Sequence, residues 1–202
     1  MDKLQAVILG GILGFILSII KDYFFANKKQ KTEQYYLAII VSASLERFIS
    51  KCLDVVCDEG EYDESGCLQT KVLRPNFEPM NLDVSWQSLK KELLYDILTL
   101  PEKINDANAH ISAAADYAAD PPDYEEYYEA RHLKYSELGL IACSVVNKLQ
   151  ATANLPKPEH QEWSPEKVFK QQKEKAVKAI EAREKRQRET NEKLFGSVEK
   201  NA

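Results

Sequence analysis

Glycine is scarce in this chain, with seven in 202 residues, and three of them, Gly10, Gly11 and Gly14, fall inside the stretch AVILGGILGFILS at 6–18. Too few remain elsewhere for the many tight turns of a β-sandwich, so an all-α fold is expected. The motifs of several enzyme classes are missing as well. There is no glycine-rich loop to cradle a phosphate, no nucleophile elbow, and no cysteine–histidine pairing with an orienting acid. The four cysteines, Cys52, Cys57, Cys67 and Cys143, form no disulfide-dense framework, which fits a reducing compartment. Nor is their spacing that of a zinc site, since no C-x-x-C occurs and no paired histidine follows; Cys52 and Cys143 read better as small buried apolar residues. No cofactor is expected. A formal charge of −5 argues against a broad nucleic-acid footprint, and nucleic acid is not an expected partner.

What the chain does have is one long apolar run, from Leu4 to Ile20, broken only by Gln5 and Ser18. As a helix it covers roughly 26 Å at the usual rise, a little short of a bilayer's hydrocarbon core. The flank closes the gap. Lys21 can snorkel toward the headgroups, and Tyr23, Phe24 and Phe25 suit the interface, so residues 1–26 read as a single transmembrane anchor. A cleaved secretory signal is the alternative, but signal cores are shorter and end in a small-residue site, whereas KDYFFANKK follows here. Lysines 21, 28, 29 and 31 outweigh the charge on the amino side, so the positive-inside rule sends the short amino end out and keeps the rest cytoplasmic. Such a layout resembles that of many bacterial inner-membrane proteins, a likeness of architecture that carries over no functional residue.

Within the run, Ala6, Gly10, Gly14 and Ser18 recur every four residues and share one helical face. This small-xxx-small ladder contains a GxxxG and is the expected helix-pairing surface, for a second copy or for another membrane protein.

Residues 27–155 read as a small antiparallel helical bundle. A first helix over 33–57 carries Leu37, Val41, Leu45, Phe48, Cys52 and Val55 at three- and four-residue spacing, and the anchor can continue into it with little break. The acidic, proline-containing stretch 58–84 reads as a long loop, with a short extended piece near 71–73. Helices follow over 85–100, from Pro101 to about Ala118, and from a cap at Asp123 to about Asn154, the last with an inner face of Tyr128, Tyr135, Leu138, Ala142, Val145 and Leu149. Residues 156–202 form a proline-bounded linker and a charged tail, helical or disordered, with too few apolar positions to bury a full face and supported by pairs such as Glu174–Lys178, Glu181–Lys185 and Glu189–Lys193.

Two places merit a chemical reading. Glu129 and His132 form a Glu-x-x-His pair, the half-motif of di-metal carboxylate bundles, but only one copy exists; a metal-dependent membrane enzyme built on it is the alternative function. Tyr124, Glu125, Tyr127 and Tyr128 gather acids and aromatics at one helix start. The acids there complement the helix dipole, and the functional alternative is an interaction patch for a basic partner. The leading expectation is a non-enzymatic membrane-anchored scaffold whose cytoplasmic part binds an unidentified protein.

Overall fold

The computed structural model describes the backbone of residues 3–156 and 164–196, and side chains at 17–18, 20–156 and 164–193. Among the described residues the protein is all-α apart from one two-stranded hairpin. Its helices are α1 (Lys3–Val56), α2 (Lys91–Leu98), α3 (Leu100–Tyr117), α4 (Glu125–Ala153) and α5 (Pro165–Gly196), and the hairpin pairs β1 (Glu61–Tyr62) with β2 (Leu68–Gln69).

The stretch that follows the apolar run and the first bundle helix form one unbroken helix. No proline occurs between Lys3 and Val56, and none of the three glycines near its start interrupts the backbone. Up to residue 34 the described side chains are exposed or half-exposed; Leu37, Val41, Leu45, Phe48, Cys52 and Val55 then face the core. Among the described residues no helix is long and apolar enough to cross a membrane. The run expected to do so falls almost wholly at positions whose side chains lie outside them, including Ala6, Gly10 and Gly14, while Ser18 is exposed.

Helix α4 is the axis of the bundle, touching α1, α2, α3 and α5. Its expected inner face is buried throughout, and so are Ala130, Arg131, Ser136, Gly139, Cys143 and Val146 on other sides. A helix wrapped on all sides cannot show a single apolar stripe, so its periodicity understates its burial. Between the helices Leu93, Ile97, Leu100, Ile104 and Ile111 complete an aliphatic core.

Three sequence expectations change. The segment 85–100 does not form one helix: Trp86–Ser88 is a 3-10 turn, and α2 starts only at Lys91. Asp123 does not cap α4. The cap position is Tyr124 in a left-handed conformation with no capping side chain, and Asp123 instead accepts a 2.6 Å hydrogen bond from the Tyr62 hydroxyl.

The charged tail, finally, is docked. Phe169 is fully buried, and it fits because α4 offers Gly139 there; a Cβ on that glycine would collide with the Phe169 ring. Ala176 adds apolar burial, Lys173 pairs with Glu137 at 3.0 Å, and Arg183 reaches both Glu126 and Glu129. None of the three expected pairs along α5 forms among the described residues; Lys185–Glu189 and Arg188–Glu184 do. Residues 157–163, most of the expected linker, lie outside the described residues.

Phe169→Ala is expected to destabilise the full chain by about 3 to 5 kcal/mol, the usual cost of deleting a buried aromatic ring. It should also make α5 the first trypsin target. Equal rates of α5 cleavage in native and variant chains would show that this ring is not what holds the tail.

Candidate functional site

Helix α1 ends at Val56, and two residues later Asp58 turns its side chain back into the protein. Oδ1 accepts the Gly60 N–H at 3.1 Å, and Oδ2 accepts those of Lys71 at 3.1 Å and Val72 at 3.0 Å. The fourth donor comes from α4, where Arg131 Nη2 lies 3.1 Å from Oδ2, both side chains being 1% exposed. The same Nη2 donates to the Val72 carbonyl at 2.6 Å, while Arg131 Nε finds no partner. A buried carboxylate is tolerated only when its lone pairs are filled, and here four N–H groups fill them. One ion pair thus joins the end of α1, the return of the loop and the second turn of α4.

His132, next along α4, extends the junction. Its Nε2 lies 3.1 Å from the Asp58 carbonyl oxygen. A carbonyl can only accept, so Nε2 carries the proton and Nδ1 is left as the acceptor of the neutral ring. Burial is the main reason the imidazole titrates below its ordinary value, with the Arg131 and Lys175 charges adding to it.

The loop 58–84 is therefore ordered by the protein itself. Asp63 accepts from the Ser65 and Cys67 N–H groups and closes the hairpin turn, Gly66 adopting a left-handed φ of +78° beside it. Leu68 N–H binds the Pro122 carbonyl at 2.9 Å. Arg74 reaches the Asn108 carbonyl and Ser112 on α3, and Phe77 is buried against Phe48. No strand forms at 71–73; the strands lie earlier, at 61–62 and 68–69.

Between the hairpin, the start of α4 and α5 lies an open cleft of about 440 Å³. Tyr128, Glu129 and His132 form its α4 side, Ala176, Ala179 and Ala182 its α5 side, and Tyr62 and Leu68 belong to the hairpin. The alanines leave the space; toward the other end of α5, Phe169 fills the corresponding gap. Lining carboxylates from Glu59, Asp123, Glu125 and Glu129 outnumber Lys175 and Arg186, so the cleft favours a basic group over an acidic one. The Tyr128 hydroxyl is buried without a partner beneath Gly60, and burial pushes its pKa up to about 12. It stays protonated at any physiological pH.

The structure splits the expected interaction patch. Glu125 and Tyr128 line the cleft; Tyr127 instead lies under the Arg74 guanidinium, 6.0 Å from it, and Tyr124 is raised in pKa chiefly by a hydrogen bond with Cys67. The Glu129–His132 pair does share one face and one cleft, but both groups are already engaged. Glu129 Oε2 accepts from Arg183 Nε at 2.9 Å, and His132 serves Asp58. Burial raises the Glu129 carboxyl above the ordinary glutamate range even though Arg183 pulls it down. Among the described residues no three of histidine, cysteine, aspartate and glutamate converge as a metal site would need.

Asp58 and Arg131 were not singled out by sequence. They are 73 positions apart, and the only local sign was an arginine one turn from Tyr128 on an otherwise apolar face. No protein-family model, curated protein or solved structure matches this chain.

Two tests follow from the junction. Asp58→Ala and Arg131→Met are each expected to cost about 3 to 5 kcal/mol in denaturant unfolding, because each leaves the other charge buried alone. The double variant should cost clearly less than the sum; strict additivity would show that the two charges do not act together. For His132, the unfolded ring binds a proton first as pH falls below about 6.5, since the folded pKa is depressed. Stability is then full above that pH and declines as pH drops toward the folded value. Between about pH 5.5 and 7.5, above the range where carboxylates dominate, His132→Gln should flatten the decline. An unchanged slope would assign it to another group.

Proposed function

We propose that this is a single-pass membrane protein with its amino end outside and its helical bundle in the cytoplasm, acting as a non-enzymatic interaction scaffold. The observation that carries the proposal is the continuity of α1. An apolar run with a GxxxG leads, without a break in the helix, past three exposed aromatics into the bundle core. Tyr23, Phe24 and Phe25 are 65–70% exposed, and a water-facing helix has no structural use for three adjacent aromatic side chains left so exposed. At a membrane interface they are favourable. From Phe25 to Leu37, the first core residue, the helix rises about 18 Å, which holds the bundle clear of the headgroups.

Cys57 supplies the first test, because it is exposed while Cys52 and Cys143 are buried. Burial, Asp54 and Glu59 raise its thiol pKa, so labelling belongs at mildly alkaline pH. With a membrane-impermeant maleimide on whole cells, Cys57 should react only after permeabilisation. Reaction in intact cells would reverse the topology.

Pairing through the ladder is tested separately. In a membrane-helix association reporter Gly14→Ile should lower self-association severalfold without affecting insertion, since a branched side chain blocks close helix approach. Undiminished association would remove Ala6, Gly10, Gly14 and Ser18 as the pairing face.

A further inference from the structure

The charge of this chain is sharply divided. Residues 1–31 hold five lysines against two aspartates, and the remainder carries eight more acids than bases. Four of those lysines, Lys21, Lys28, Lys29 and Lys31, lie on the bare part of α1 and are exposed. Among the described residues their side chains have only weak partners. Lys21 sits 5.8 Å from the Phe25 ring, and Lys29 is 3.8 Å from Glu33 in a solvent-exposed pair.

Helical geometry gathers them. At 100° per residue the four lysines occupy an arc of about 160°, centred opposite the side from which Leu37, Val41, Leu45 and Phe48 enter the core. The bundle therefore does not shade them. Along the axis, Lys28 to Lys31 stand about 5 to 9 Å beyond Phe25. A headgroup layer is roughly 5 to 8 Å deep on each side of the hydrocarbon, so an interface at Phe25 puts three ammonium groups at the level of the phosphates.

We propose that Lys28, Lys29 and Lys31, with Lys21 beneath them, form a collar that recruits anionic lipid headgroups around the anchor. The proposal rests on the anchored reading above. It adds a partner, the anionic phospholipid, and a consequence for orientation. Within about a Debye length, some 8 Å, the collar is attracted to a negative surface. The acidic bundle begins about 18 Å beyond Phe25, outside that range, and meets the surface's repulsion only when it tilts toward the bilayer. Attraction at the base and repulsion on tilting together favour an upright bundle.

The test uses the full chain reconstituted in vesicles of phosphatidylcholine and phosphatidylglycerol mixed at roughly three to one. The vesicles are washed in alkaline carbonate, and native mass spectrometry counts the lipids that remain on the protein after detergent extraction. Retained phosphatidylglycerol should exceed the mixing ratio about fivefold, as expected for several lysines near the surface. The combined K28Q/K29Q/K31Q variant should fall to the mixing ratio, and K28R/K29R/K31R should keep the enrichment. These side chains are exposed, so neither variant disturbs the core. Equal enrichment in the native and glutamine chains, or none in the native chain, overturns the collar while leaving the anchor intact. Release of the native chain by carbonate overturns the anchor and the collar together.

Discussion

Everything at the hairpin end of this protein depends on a single buried charge pair. Arg131 and Asp58 join α4 to the end of α1, and the carboxylate also fixes Gly60, Lys71 and Val72 at the two ends of the hairpin segment. Such a pair adds little net stability over an apolar substitute, because desolvating both ions cancels most of their attraction. What it adds is geometry. Neither partner can shift without leaving a charge alone in the core, so the loop has one placement relative to α4. The cleft follows from that placement: its hairpin side stands where Asp58 puts it, and His132 is held by the Asp58 carbonyl.

The remaining architecture is a problem of wrapping one helix. With α1, α2, α3 and α5 all against α4, each contact has a different chemistry. The α1 side is aliphatic, and on the α3 side the Tyr135 hydroxyl reaches Asn108 Oδ1 at 2.8 Å. The α5 side is anchored by one ring on one glycine and finished by ion pairs to Glu126, Glu129 and Glu137. That last surface is only partly apolar, which explains how a helix so charged can dock at all. Among the described residues, the one large apolar side chain it buries goes where α4 has no side chain.

Periodicity made the helices and most of the core legible. The inner faces of α1 and α4 are buried at each position their spacing marks, and Ile104, Ala107 and Ile111 are buried on α3, although Ala118 is exposed. Three features escaped because they depend on partners distant in sequence. Arg131 was not singled out because its partner, Asp58, lies 73 positions away. Phe169 looked too isolated to bury a face, and only the space above Gly139 reveals why one ring suffices. Asp123 had the chemistry of a cap, but the hairpin brought Tyr62 to it first, and α4 started without one. The same hairpin divides Tyr124 and Tyr127 from Glu125 and Tyr128, neighbours in sequence that a single helix start had grouped together.

Helix α1 carries an apolar run and a face of the bundle core on one continuous backbone. Over its last twenty residues the core selects its apolar face; from Ile20 to Thr32 its side chains are exposed, and an isolated stretch of that length is only marginally helical in water. A helix exposed for so long keeps its shape only if both ends are held. The bundle holds one end. The other end carries the apolar run, and a surrounding without competing water would hold it equally well, since every backbone group there must bond within the helix. On the anchored reading proposed above, the exposed middle would be a strut held at both ends, with its lysines and aromatics arranged along a direction that the bundle sets.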